Sequence, residues 1–256
     1  MKDYAHKLSH IIKAFGNIDL NYITLAEVSK FLAKFPPQQS NHYRSLLCVL
    51  WKYAVAEGLV SENIPAKTLK KRVTVQRLRL TFDGFLTIRK LAPDWLQNAM
   101  DLALITGQRV GDIANLNCNN IQDDFLLIKQ SKTGQALKLP IIGQLATIIN
   151  CCLTNDCDYL ISIKNKQITA NHISQSFCKA RKESGCYENI EHPPTFHEIR
   201  SLSAYLQQSG GLDKKEIQKW LGHASEKMTD LYLSRRETFK TVSHESMLQL
   251  SQIVTL

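Results

Sequence analysis

Residues 193–204 read PPTFHEIRSLSA and place a proline pair directly before a stretch that predicts a helix over about 198–208. His197 and Arg200 lie three positions apart, so they share one face if the helix begins there. A histidine and an arginine on one face can bind an anion, although an exposed pair of this kind also occurs on ordinary polar faces. The segment therefore predicts a helix that carries a candidate anion site.

Three other segments carry side chains of related chemistry: TGQRVGDIANL at 106–116, QSKTG at 130–134 and LGHASEKMTDLY at 221–232. Taken singly, their polar residues fit ordinary roles, such as a helix cap, a solvated hairpin tip or a packing tyrosine. Taken together, they supply arginines that hold a phosphodiester, groups that move protons, and a phenol that attacks phosphorus. This candidate set comprises Arg109, Lys132, His197, Arg200, His223 and Tyr232.

The four segments resemble the tyrosine recombinase (phage integrase) family, most closely its lambda integrase type. The resemblance implies that Arg109 and Arg200 clamp the scissile phosphate and that Tyr232 attacks it, leaving a 3′-phosphotyrosyl enzyme and a free 5′-hydroxyl. Further implied roles follow from the same segments: Lys132 protonates the leaving oxygen, His197 assists proton transfer at the phenol, and His223 hydrogen-bonds a phosphate oxygen. Asp112 resembles an acidic residue that supports the arginine or histidine in this family, and it equally fits an ordinary helix charge.

The implied activity is site-specific recombination of double-stranded DNA by a homotetramer, through a Holliday junction and without a cofactor. The resemblance leaves room for accessory DNA-bending proteins. The arm-binding domain that usually opens a lambda-type integrase is not expected in this chain. Two alternatives stay open: a DNA-binding or Holliday-junction-binding protein that does not cleave, and a type IB topoisomerase-like enzyme that relaxes DNA.

The distribution of charge also favours a polyanionic partner. The net charge is +9, and residues 1–77 hold twelve basic against five acidic residues. Residues 65–80, PAKTLKKRVTVQRLRL, contain six basic residues and no acidic residue. We interpret this run as a linker that crosses DNA phosphates, the alternative being a solvated loop whose charges have no partner. The candidate DNA-binding residues are Lys67, Lys70, Lys71, Arg72, Arg77 and Arg79.

Periodicity predicts a mainly α protein with one small antiparallel sheet, an α+β fold in which, by the resemblance, two domains form a DNA clamp. Helical spacing marks residues 3–15, a segment from the capping box at Thr24 to Phe35, and residues 41–57. A hairpin is predicted at 125–140. We therefore predict a helical core-binding domain at 1–65, a basic interdomain linker at 66–79, and a catalytic domain with its C-terminal tail at 80–256.

Several classes of protein are disfavoured. No apolar run reaches the roughly 20 residues of a membrane helix, and the first residues lack a secretory core, so we expect a cytoplasmic protein near the nucleoid of a bacterial host. Seven cysteines are irregularly spaced without a C-x-x-C pair, which predicts reduced, mostly buried thiols. Neither a P-loop nor an H-E-x-x-H zinc motif occurs, so no metal site is predicted.

Overall fold

The chain forms two compact units, residues 1–76 and 77–256. The computed structural model describes residues 2–73, 78–153, 157–222 and 229. The predicted roles of Arg77, His223 and Tyr232 lie outside the described residues.

The first unit contains three α-helices: α1 (Lys2–Phe15), α2 (Leu25–Ala33) and α3 (Pro37–Ala56). The capping box at Thr24 is confirmed, because the Thr24 side chain accepts from the Glu27 amide while the Glu27 carboxylate accepts from the Thr24 amide. Helix α3 begins four residues earlier than predicted. Pro37 occupies its first turn, where a missing N–H costs nothing. Apolar faces of the three helices form one core around Phe31, Leu47 and Trp51.

The first half of the predicted basic linker is fastened to this unit. Asn41 bonds both the backbone N–H and the backbone carbonyl of Lys71, at 2.9 and 2.8 Å. Arg44 donates to the carbonyls of Thr68 and Ala66. The Lys71 ammonium donates to the carbonyls of Leu32 and Phe35, where it caps the end of α2. Residues 66–73 are therefore anchored at several points.

The second unit holds seven described α-helices around a larger core. They are α4 (Phe82–Leu91), α5 (Asp94–Thr106), α6 (Val110–Ala114), α7 (Gly143–Leu153), α8 (Ala170–Glu183), α9 (His197–Ser209) and α10 (Lys214–Leu221). Helix α5 packs against five of the others, α4, α6, α7, α8 and α9, and several of its side chains are fully buried. Helix α5 is therefore the central helix of the described part of this unit.

The strands form two small antiparallel sheets. The first pairs β1 (Ile121–Gln122), β2 (Phe125–Lys129) and β3 (Ala136–Pro140), with Ile128 opposite Leu137. It contains the predicted hairpin, and the mainly α fold class is confirmed. The second sheet pairs β4 (Ser162–Ile163) with β5 (Lys166–Gln167) and was not predicted. Its strands are too short to show alternation, and its turn places Lys164 and Asn165 at positive φ without a glycine.

The start of α4 is well capped, although glycine occupies position 84, where a capping box has an acid. The Thr81 hydroxyl accepts from the Gly84 amide at 3.1 Å. The Tyr187 hydroxyl accepts from the Thr81 amide at 3.2 Å, the bond that a capping-box carboxylate would make. A Cβ atom at position 84 would lie 2.2 Å from that hydroxyl oxygen. The glycine therefore makes room for a tyrosine that replaces the acid.

The cysteines depart from expectation in their burial. All seven are free, but only Cys152 is buried, whereas Cys151 and Cys186 are exposed. The prediction of mostly buried thiols is therefore wrong. Burial raises the pKa of Cys152 to about 12, which keeps that thiol protonated.

Across the described helices, none combines the length and apolarity that crossing a bilayer requires.

The Tyr187 cap predicts a non-additive pair of substitutions. Tyr187→Phe should lower the free energy of unfolding by about 1 kcal/mol, because the Thr81 amide loses its acceptor. Gly84→Ala should also destabilise, although alanine is the better helix former, because its methyl group displaces the hydroxyl. In the Tyr187→Phe background the alanine should cost less. Urea unfolding of the four proteins checks this, and equal costs in both backgrounds would contradict it.

Candidate active site

The turn between α5 and α6 positions Arg109. Helix α5 ends at Gly107, whose φ of +66° and close packing both call for glycine. A Cβ there would lie 2.8 Å from the Leu221 side chain. Two residues later, Arg109 is the N-cap of α6. The T-G-Q-R sequence thus ends one helix and begins the next with the arginine between them.

Arg109 is held by a neutral amide and lies near a carboxylate. Its Nη1 atom donates to Gln130 Oε1 at 2.8 Å and lies 3.9 Å from Asp112 Oδ2. The other Asp112 oxygen accepts from the amide and the hydroxyl of Ser131, at 2.9 and 2.8 Å. Asp112 is 5% exposed. It therefore lies between Arg109 and the loop of the β2–β3 hairpin, and its hydrogen bonds go to that loop.

Arg200 is almost fully buried, at 1% exposure, and lies in the first turn of α9. Its Nη1 atom donates to the Gly107 carbonyl and its Nη2 atom to the Leu221 carbonyl, both at 2.6 Å. These carbonyls belong to the C-terminal ends of α5 and α10, where helix dipoles favour a cation. Arg200 therefore fixes the ends of two helices relative to each other.

His197 is the first residue of α9, one position before the predicted start, and is half-buried. The segment before it is fixed from two sides. Phe196 packs edge-on against Phe177, with ring centroids 5.7 Å apart. The guanidinium of the buried Arg181 donates to the Pro194 carbonyl. The P-P-T-F stretch thus orients the first turn of the helix.

An acidic residue lies between His197 and Arg200, and its charge is compensated. The Glu198 side chain is 6% exposed and accepts from Arg79 Nη1 at 2.9 Å. The neighbouring Leu78 amide donates to the His192 carbonyl at 3.0 Å. Arg79, predicted to bind DNA, is thus an internal partner of α9. The Arg79 guanidinium therefore neutralises the Glu198 carboxylate, which lies on the same helix as the residues proposed to bind an anion.

Lys132 is exposed, and the residues on both sides of it are anchored. Ser131 bonds Asp112, and the Thr133 hydroxyl donates to Gln130 Oε1 at 2.7 Å. Gly134, at φ +69°, closes the turn by donating to the Gln130 carbonyl. The loop therefore presents the lysine from a defined base next to Arg109.

Gln108 and Gln130 were missed by the sequence analysis. Each is 1% exposed, and Gln130 Nε2 donates to Gln108 Oε1 at 2.7 Å. Both glutamines lie inside the quoted motifs, next to Arg109 and two residues before Lys132. That adjacency was the available signal. A glutamine has no acid–base chemistry at neutral pH, so a search for reactive side chains passes over it.

The structure therefore brings together Arg109, Asp112, Arg200 and the loop that carries Lys132, with His197 at the start of the same helix as Arg200. Within the described ranges, no group of three or more histidine, cysteine, aspartate or glutamate side chains could hold a metal ion. The described side chains around Arg109 and Arg200 are mainly cations and amides, with Asp112 as the carboxylate nearest to Arg109.

The candidate DNA-binding residues fall into different environments. Lys70 and Arg72 are exposed, whereas Lys67 is exposed and paired with Glu62 at 2.6 Å. Lys71 and Arg79 bond groups of their own units, as described above. Among the described cations of the basic run, Lys70 and Arg72 are therefore the two that are exposed and have no ion-pair partner within the described residues.

Known proteins are similar to this chain along most of its length. A model described as the phage integrase family matches residues 79–238. The integrase of Escherichia phage HK022 is 34% identical over 250 residues, covering 91% of this chain and 70% of that protein. A lambda integrase fragment, crystallised as a dimer bound to a COC′ core site, superposes with a TM-score of 0.86 at 31% identity. That match covers 94% of this chain and 91% of the other. A lambda integrase tetramer bound to a Holliday junction gives the same TM-score and identity, covering 94% of this chain and 73% of the other.

The buried Arg79–Glu198 pair predicts a strong loss of stability when one partner is removed. Arg79→Met should lower the free energy of unfolding by about 3 kcal/mol, because it leaves the Glu198 carboxylate buried without its partner. Replacing both residues, as Arg79→Met with Glu198→Leu, should cost less than Arg79→Met alone. Lys67→Met, which breaks an exposed pair, is the matched control and should have little effect. Urea unfolding followed by circular dichroism measures all four proteins; a single-mutant cost no larger than that of the control would contradict the expectation.

Proposed function

This chain belongs to the phage integrase family, and from that membership we propose that it is a tyrosine-type site-specific recombinase, which cleaves and rejoins DNA. The observation that carries the proposal is the convergence of Arg109, Arg200 and the hairpin loop of Lys132, which lie far apart in sequence, on the ends of α5 and α10. Preorganised cations of this kind stabilise charge that develops on a phosphate in a transition state.

In the proposed step, the phenol oxygen of Tyr232 forms a bond to phosphorus while the bond from phosphorus to the 5′ oxygen breaks. The phenol proton is transferred with the assistance of His197, and Lys132 supplies a proton to the leaving oxygen. Arg109 and Arg200 offset charge on the phosphate oxygens, to which His223 adds a hydrogen bond. The products are a 3′-phosphotyrosyl enzyme and a free 5′-hydroxyl.

The phosphotyrosyl bond keeps the energy of the broken phosphodiester. A 5′-hydroxyl from a second duplex can therefore reverse the step, and strands are exchanged without ATP or another cofactor. The lambda integrase structures with a core site and with a Holliday junction support the same partners for this chain: double-stranded DNA and three further copies in a tetramer. Accessory DNA-bending proteins belong to the same proposal.

We assign DNA binding outside the cleavage site to residues 1–65, as a core-binding domain, and to the linker at 66–79. The catalytic domain is residues 80–256. The supporting observation is the surplus of basic residues in the first part of the chain, together with the exposure of Lys70 and Arg72. Such a protein acts on DNA in the cytoplasm of a bacterial host.

Plasmid relaxation with Tyr232→Phe tests the chemistry. Wild-type protein incubated with supercoiled plasmid in EDTA should relax it and, after a detergent quench, carry covalently attached DNA. Tyr232→Phe should do neither, because phenylalanine has no nucleophilic oxygen. Tyr159→Phe, which removes the hydroxyl of a half-buried tyrosine outside the proposed DNA-binding domain, is the matched control and should behave as wild type.

Absence of both relaxation and adduct in wild-type protein, repeated on a nicked substrate that bears the crossover site, would leave a DNA-binding protein that does not cleave. Relaxation without strand exchange between two site-bearing duplexes would instead favour a topoisomerase-like enzyme.

The neighbouring cations of the basic run predict different effects on DNA binding. Lys70→Gln and Arg72→Gln should each reduce the slope of log affinity against log salt by about 1, since each removes one phosphate contact. Lys71→Gln should leave that slope unchanged and instead destabilise the protein, because its ammonium caps α2. Binding to duplex DNA at several salt concentrations, with thermal unfolding of each variant, measures both effects. Equal slopes for all three variants would contradict the assignment.

A further inference from the structure

The buried amide of Gln130 joins the parts of the site that the reaction needs. It follows directly after β2 and is 1% exposed. Its Nε2 atom donates to Gln108 Oε1 and to the Leu221 carbonyl, both at 2.7 Å. Its Oε1 atom accepts from Arg109 Nη1 at 2.8 Å and from the Thr133 hydroxyl at 2.7 Å. A glutamine amide has two donors and two acceptor positions, so all four are used.

The orientation of this amide is fixed by the charges around it. If the oxygen and nitrogen exchanged places, the NH₂ group would face the Arg109 guanidinium and the oxygen would face the Leu221 carbonyl. Gln108 cannot compensate by turning, because its own Nε2 donates to the Thr106 carbonyl at 2.9 Å. Gln130 therefore has a single satisfied arrangement, and buried amides that lose their partners are costly.

The four partners lead to different pieces of the reaction centre. Arg109 is a proposed phosphate clamp, and Thr133 follows Lys132 in the hairpin loop. Leu221 ends α10, and its carbonyl also accepts from Arg200. The approach of α10 is close: a Cβ at Gly222, whose φ is +64°, would lie 2.7 Å from Gln130 Nε2. One neutral side chain thus contacts three separate segments of the site.

We propose that Gln130 is a positioning residue for DNA cleavage, which holds Arg109 and the loop of Lys132 in fixed positions relative to the end of α10. This inference rests on the proposed function. Gln130 is too deeply buried to reach DNA, so its removal should affect the rate of cleavage more than DNA affinity. Displacing reacting groups by about 1 Å can cost a factor of roughly 100 in rate.

A sulfur-substituted DNA distinguishes an effect of Gln130 on Lys132 from an effect on Arg109 or on folding. When the bridging 5′ oxygen at the scissile phosphate is replaced by sulfur, the leaving group departs as a thiolate and needs no proton. A variant whose defect lies in placing the proton donor should then recover, whereas a defect in the arginine clamp or in folding should persist. A purely structural role would lower both rates equally.

Two substitutions test the proposal. Gln130→Met, which keeps the length and removes every hydrogen bond, should cleave ordinary nicked DNA about 10- to 100-fold more slowly, with its DNA dissociation constant within about twofold of wild type. On the sulfur substrate the deficit should shrink by about 10-fold. Thr133→Val, which removes only the bond to the loop, should lose about 10-fold on ordinary DNA and recover on the sulfur substrate, while Thr133→Ser should keep the wild-type rate.

Gln97→Met is the matched control, because the Gln97 amide bonds the Ala92 carbonyl and no residue of the site. It should cleave both substrates at wild-type rates. Thr133→Val changes an exposed side chain and keeps the test valid if Gln130→Met does not fold. Wild-type rates for both test variants, or deficits of equal size on the two substrates, would overturn this inference and leave the proposed function standing. Failure of the wild-type protein to cleave either substrate would remove the proposed function and this inference with it.

Discussion

The buried guanidinium of Arg200 is the constraint on which the second unit depends. A cation at 1% exposure has lost most of its hydration and must find acceptors inside the protein. It finds them at the two helix ends whose carbonyls lack intrahelical partners, Gly107 in α5 and Leu221 in α10. Gly107 and Gly222 are the left-handed C-caps of α5 and α10. Because they carry no side chain, the two helix ends can pack closely against their neighbours. Arg200 therefore both caps two helix ends and places a positive charge between them.

The neutral residues around the site extend this logic. The Leu221 carbonyl receives a second donor from Gln130, which in turn bonds Gln108 and Arg109. An acid in place of Gln130 would offset the charge of Arg109 and lose both donors to Gln108 and Leu221, and an apolar residue would leave polar groups without partners. A glutamine amide can hydrogen-bond donors and acceptors at the same time, and it does so without changing the net charge of a site proposed to bind an anion.

Much of the fold was accessible from the sequence because its signals are local. Helical periodicity, the capping box at Thr24 and the turn residues of the hairpin each depend on a few neighbouring residues, and all three features are present in the structure. The grouping of Arg109, Lys132 and Arg200 was accessible through spacing and motif. The four-way contacts of Gln130 were not, because they join residues up to 91 positions apart. The hydroxyl that caps α4 is likewise 106 positions from Thr81.

The basic run shows why local composition predicts charge better than it predicts partners. Lys70, Lys71 and Arg72 are consecutive cations, yet only the middle one points its ammonium at carbonyls of its own unit. Whether a cation reaches solvent depends on the direction of its side chain. At Lys71 that direction is set by Asn41, which holds the backbone on both sides of the residue. A count of positive charges cannot contain this information.

The two arginines of the site differ in how much of their hydrogen-bonding capacity the protein uses. Arg200 is committed to the framework through two main-chain carbonyls. Arg109 has a side chain 17% exposed, and within the described part of the chain one of its five N–H donors is hydrogen-bonded, to a neutral amide. Its nearest carboxylate oxygen, on Asp112, lies 3.9 Å away, beyond hydrogen-bond distance. Arg109 therefore retains more capacity for bidentate contact with a phosphate, while Arg200 supplies a fixed positive charge beside it.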